Sequence, residues 1–117
     1  MKLTRKRTES QLVLETHLDE LGLYWDVEFK FHPTRKWKSD YHVSRQATFE
    51  RLFRECLVEI EGAVYAQGRH TRGSGYEKDC CKYNEAQLLG YPVFRFTTRQ
   101  ALKGEAREFL RRWREKQ

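Results

Sequence analysis

The sequence predicts a single α/β domain over residues 1–117, a mixed four-stranded sheet flanked by helices in the order αβββαβα. Three observations carry this. Two segments near residues 25–43 alternate apolar and polar residues with the period of a half-buried strand, and a short apolar run follows at 56–60. Segments with helical spacing lie at both ends and between the last two strands. Aromatic residues make up 14% of a chain that is only 38% hydrophobic, which suffices for a compact core built on Phe, Tyr and Trp.

The basic tail of residues 1–7 ends in Arg5-Lys6-Arg7, and residues 8–22 then read as a helix. Thr8 is its N-cap, Leu14, Leu18 and Leu21 recur along one face, and Gly22 stops it. Residues 25–31 form a strand with Trp25, Val27, Phe29 and Phe31 on one face and Asp26, Glu28 and Lys30 on the other. His32-Pro33-Thr34 turns the chain. Residues 36–43 return as a second strand, with Trp37, Ser39, Tyr41 and Val43 opposite Lys36, Lys38, Asp40 and His42. Residues 44–54 read as a loop, and CLVEI at 56–60 as a central strand that sets Leu57 and Glu59 apart from Cys56, Val58 and Ile60.

Residues 68–75 are a glycine-rich basic loop, followed by a helix over 76–89 capped by Gly90 and a short strand, PVFRFT, over 92–97. From Thr98 onward, Leu102, Ala106, Phe109, Leu110 and Trp113 mark one amphipathic helix with Arg107, Arg111, Arg112 and Arg114 outside. A helix between the third and fourth strands makes those two parallel.

Composition narrows the function classes. The 23 Lys and Arg against 17 Asp and Glu leave a net charge of +6, which suits a polyanionic partner and equally a solvated surface. No apolar run is long enough to span a bilayer and no signal-like segment opens the chain, so the sequence predicts no membrane and a cytoplasmic location. Three cysteines, two of them adjacent, fit a reducing interior better than a disulfide framework. Cys80 and Cys81 with His70 and His42 lack zinc-site spacing and read as plain thiols.

The acids carry the chemistry. Glu59 and Glu61 are two apart on a strand and leave it on one face, where like charges repel unless a cation lies between them. Asp40, on the polar face of the preceding strand, is placed to lie opposite. Such an acidic set suits magnesium or manganese, Mg2+ or Mn2+. Taken alone, the same pattern also describes solvated strand ends. The basic glycine loop that follows adds weight to a site, since sites are commonly built on loops beside strand ends. Within it Arg69, His70 and Arg72, among glycines that free backbone N–H groups, point to phosphate contact, with proton shuttling or no special role as other readings of His70.

Asp40 at the end of a hairpin, Glu59-Ile60-Glu61 on the next strand, and the continuation through Arg69-His70-Thr71-Arg72-Gly73, Asp79, Lys82-Tyr83-Asn84, Leu89-Gly90-Tyr91 and Phe94-Arg95-Phe96-Thr97 resemble the PD-(D/E)XK nuclease superfamily. Within it the chain is similar to small phage and prophage endonuclease-like proteins of the very-short-patch-repair and Holliday-junction-resolvase branches. The resemblance covers residues 9–97. It implies a restriction-endonuclease-like core and a metal-dependent DNA phosphodiesterase, with Asp40 and Glu59 holding the metal and the carbonyl of Ile60 assisting. It also implies a branched or four-way-junction substrate, a homodimer, and the host cytoplasm if the gene is phage-borne.

One departure stands out: Glu61 occupies the position where the superfamily usually has lysine. As a third carboxylate it could bind the metal directly. The missing cation is then supplied from elsewhere, first by Lys82 on the helix after the acids, with Lys78 one turn earlier as an ordinary solvated lysine. Resolvase-like relatives draw a further acid from the N-terminal helix, for which Glu9 is the closer match and Glu15 the substitute. Asp79 is read as a cap or as a partner of Arg69 or Arg72 and not as a catalytic acid. Gln87 and Tyr91 match a short pattern of RecB-like nucleases, while Tyr83, Leu88 and Tyr91 are more easily read as core packing around the helix end. Arg35, Lys36, Lys38, Arg69, His70, Arg72 and Lys78 form the expected DNA-contacting set. The alternatives are a monomeric nicking or mismatch-repair-type endonuclease and a non-catalytic DNA-binding module.

Overall fold

The computed structural model describes residues 6–45, 54–62 and 73–116. Its elements are α1 (Glu9–Glu20), β1 (Tyr24–Lys30), β2 (Lys38–Ser44), β3 (Glu55–Glu61), α2 (Gly73–Leu88), β4 (Val93–Thr97), α3 (Thr98–Leu102) and α4 (Glu105–Glu115). The sheet order is β1-β2-β3-β4, antiparallel across the first two pairs and parallel between β3 and β4. The chain is therefore an α/β protein with a mixed four-stranded sheet flanked by helices.

Local chemistry sets the helix ends. Thr8 and Gln11 form a reciprocal capping box at the start of α1, and Thr97 and Gln100 form another at the start of α3. At the far end of α1, Gly22 (φ +72°) donates to Asp19 and Leu23 donates to Leu18, the paired bonds of a Schellman turn whose two leucines meet in the core. The end of α2 repeats the device: Gly90 donates to Gln87, Tyr91 to Ala86.

The two faces of the sheet bury different clusters. α1 and α4 cover Val27, Tyr41, Val43, Cys56, Val58 and Phe96 with Leu14, Leu18, Leu110 and Trp113. On the other face Phe31, Leu57 and Ala86 pack with Phe29, Trp37, Tyr91 and Val93. This corrects the expectation that Trp25, Val27, Phe29 and Phe31 share a face. Glu28 has φ +50°, and this left-handed residue resets the alternation so that Phe29 and Phe31 emerge opposite Val27. Trp37, expected beside Tyr41, precedes β2 and joins the Phe31 cluster.

The expected single C-terminal helix is two. Gly104, at φ +82°, breaks it into α3 and α4, and the apolar seam of α4 is filled within the chain by Ala106, Leu110 and Trp113. The expected loop of residues 44–54 falls largely outside the described residues, as do Arg69, His70 and Arg72. Gly73 already belongs to α2.

Candidate active site

β2 and β3 pair in regular register as far as Tyr41 and Val58. Beyond that point side chains connect the strands. The Ile60 N–H donates to Asp40 Oδ2 at 2.9 Å, and the Asp40 N–H donates to Glu59 Oε2 at 3.3 Å. Two carboxylates thus replace ladder carbonyls as acceptors, which satisfies backbone donors while concentrating negative charge at this end of the sheet.

The expected juxtaposition of Asp40 with Glu59 is what the structure has. Glu59 is 7% exposed. Its pKa is pushed up to about 7, chiefly by burial and next by the Asp40 carboxylate, with Glu61 adding a little. Lys82, reaching from α2, brings Nζ to 3.5 Å from Glu59 Oε2 and pulls the other way. The lysine expected to replace the displaced cation therefore contacts the buried acid. Lys78 is exposed and lines a separate groove with Arg35 and Trp37.

Glu61 is held differently. Arg95 on β4 donates from Nε to Glu61 Oε2 at 3.0 Å, and its guanidinium lies 4.5 Å from the centroid of the Tyr83 ring. Lys82 Nζ is 5.4 Å from the same ring. Burial first, then Glu59 and Glu61, raise the Tyr83 phenol above its ordinary value, so it stays neutral at physiological pH. Arg95 was not among the residues singled out from sequence. Its signal was an arginine in a short aromatic strand, placed by the parallel register beside Glu59 and one step from Glu61.

Between the start of α1, the end of β3 and α3 lies a cavity of about 380 Å³ whose wall includes Glu9, Asp40, Ile60 and Thr98. Glu9 and Asp40 thus share one cavity. Glu15 is committed elsewhere: its Oε2 accepts from Tyr41 Oη at 2.6 Å and Arg7 Nε at 2.7 Å. Of the remaining expected contacts, Arg35, Lys36 and Lys38 are exposed, and Lys38 lies 3.8 Å from Glu28. Asp79 raises the pKa values of Tyr83 and Arg95 through its charge. The C-terminal arginines have partners within the chain: Arg111 bonds Glu108 and Glu115 on its own helix, while Arg107 reaches Glu20 and Arg114 the Leu21 carbonyl at the end of α1. His42 bonds Glu55 at 2.6 Å, while Cys80 and Cys81 are exposed.

Asp40 and Glu59, joined through backbone N–H groups, offer oxygen donors only, the chemistry Mg2+ and Mn2+ accept with one or two protein carboxylates and water. Burial beside Asp40 raises the Glu59 pKa, so a cation bound there would favour its ionised form. Among the described residues no group of three His, Cys, Asp or Glu side chains stands in metal-holding arrangement, and no helix is long and apolar enough to cross a membrane. The chain matches no family model, no curated protein and no solved structure.

Proposed function

We propose that this chain is a metal-dependent DNA endonuclease of the PD-(D/E)XK kind, built on a restriction-endonuclease-like core. The observation that carries the reading is the contact of Lys82 with the buried Glu59, next to Asp40, where β2 and β3 cease regular pairing. Two acids and a lysine from three elements, one acid lining a cavity, are the groups phosphodiester hydrolysis needs.

In this reading Asp40, Glu59 and the Ile60 carbonyl would hold Mg2+ or Mn2+. The ion, when bound, supplies a water of lowered pKa and neutralises charge at the phosphate. Lys82 holds a positive charge beside Glu59, where it orients the attacking water or meets the developing charge on phosphate oxygen. Arg95 keeps Glu61 turned aside, and Glu9 contributes an acid to the cavity wall next to Asp40. The resemblance directs the activity to branched DNA and to a homodimer. A two-fold assembly suits paired cuts, and its interface would lie outside the filled seam of α4.

The test is a plasmid-nicking assay with Mg2+, Mn2+ or EDTA, repeated with Asp40→Ala. Nicking that needs the ion and disappears in the variant is expected, and nicking that survives the substitution overturns the site. Binding without cleavage in either ion would identify a DNA-binding module instead. A four-way junction compared with linear duplex then tests substrate choice, equal rates counting against branch selectivity.

A further inference from the structure

On the α2 side of the sheet, one turn of helix from Lys82, three planar groups form a column. Phe31, buried at the bottom, lies nearly parallel to Trp37, with ring centroids 6.2 Å apart and planes at 16°. The Arg35 guanidinium covers the Trp37 ring at 4.0 Å. The turn that carries Arg35 is fixed from below. His32 Nδ1 accepts the Arg35 N–H at 3.0 Å and the Thr34 N–H at 3.2 Å, which leaves the ring proton on Nε2, 3.2 Å from Glu85 on α2.

The column forms one wall of a groove of about 320 Å³, lined by Arg35, Trp37, Glu77, Lys78 and Cys81. Arg35 and Lys78 are exposed, and among the described residues neither side chain has a carboxylate partner. Two cations and a flat stack in a groove at the small end of the ligand-cavity range suit one base and its phosphate better than a rigid duplex. Glu77 adds an acceptor for a base N–H.

We propose that this groove binds an unpaired nucleotide, its base stacked on the exposed Arg35 guanidinium that covers Trp37 and its phosphate on Lys78. Lys78 and Lys82 are neighbours at i and i+4 on α2, so a strand held at Lys78 leads directly to the acids. The inference rests on the nucleic-acid reading above and deepens it, because it names single-stranded character beside the cleavage point as what the protein recognises.

Binding in EDTA tests it without cleavage. The probes are a fluorescent single-stranded oligonucleotide, the same strand with abasic sites in place of its central bases, and the matching duplex, each titrated with the full chain. Wild type should bind the base-bearing strand at least about fivefold tighter than the abasic strand. Arg35→Lys keeps the charge and loses the plane, so it should erase that preference and bring the affinity for the base-bearing strand down to that for the abasic strand. Lys78→Ala should weaken both strands alike and lower the salt slope by about one. If Arg35→Lys leaves the base preference intact, or wild type has none while still binding duplex, this inference fails and the nucleic-acid reading stands. If none of these probes binds, this inference fails, and if a four-way junction added to the same titration does not bind either, both fail.

Discussion

Glu15 and Glu59 are both buried, at 9% and 7% exposure, yet they are built for different ends. Glu15 accepts two short bonds, from Tyr41 Oη at 2.6 Å and Arg7 Nε at 2.7 Å. Glu59 has looser partners, a backbone N–H at 3.3 Å and Lys82 at 3.5 Å, and it shares its space with Asp40. The first is a closed polar network that ties the N-terminal residues and α1 to the sheet. The second sets two carboxylates against one lysine, an arrangement that suits the proposed metal site as the first suits holding the fold together.

The largest expected effect tests the second acid. Lys82→Met should lower nicking rate on the order of a hundredfold or more per folded molecule, because it removes a preorganised positive charge and keeps the stem, with a loss of thermal stability as Glu59 loses its cation. Retained activity in this variant would make Lys82 a structural partner of Glu59 and erase the contrast. Next in size is Glu15→Ala, which strands the Tyr41 hydroxyl and the Arg7 guanidinium. Urea unfolding should show a loss of about 3 kcal/mol, with nicking per folded molecule unchanged. A nicking defect without a stability loss would mean that the two acids had been assigned to the wrong roles.

The Glu59 side of this contrast was legible in the sequence because it rests on local signals, while Glu15, read as a surface acid of the first helix, is buried against Tyr41. Thr8, Gly22 and Gly90 announce their caps within a few residues, and Glu59 in an otherwise apolar strand marks a charge that burial must explain. The sequence also placed Lys82 near the acids, since a helix following the third strand returns across its end. Other features depend on contacts distant in the chain. Glu28 is not a residue type that advertises positive φ, so the transfer of Phe29 and Phe31 to the α2 face left no local trace. Arg95 finds Glu61 only through the parallel register of β3 and β4. Gly104 was visible, but the helical spacing around it reads through a glycine unless its backbone angle is known.

A third prediction uses the pKa of Glu59. Its folded value of about 7 lies above the ordinary 4.5, so the folded state binds the extra proton between those values. Stability contributed by the protonated form is therefore present below about pH 4.5 and is lost as pH rises through 7. The full swing is roughly 3 kcal/mol. Glu59→Gln removes this titration, so the difference in unfolding free energy between variant and wild type should grow in the variant's favour from pH 4.5 to pH 8. Added Mg2+ should stabilise wild type more at pH 8 than at pH 5, and a pH-independent difference between the two proteins would remove the strain assigned to this acid.

The smallest expected effect concerns the third acid. Glu61 lies beyond the buried pair, its side chain 24% exposed and its partner Arg95 43% exposed. Solvent screens such a pair, so Glu61→Ala should cost no more than about 1 kcal/mol in urea unfolding. Its effect on nicking separates two roles. If Glu61 only engages Arg95, the variant should keep activity within about tenfold of wild type, far above Lys82→Met. A collapse equal to that of Lys82→Met, with stability intact, would instead make Glu61 a ligand that leaves Arg95 when the ion arrives. Glu61→Lys sharpens the choice further: it puts an ammonium on the same face as Glu59, close to Arg95, and should be tolerated only if the site needs more positive charge there than Lys82 already supplies.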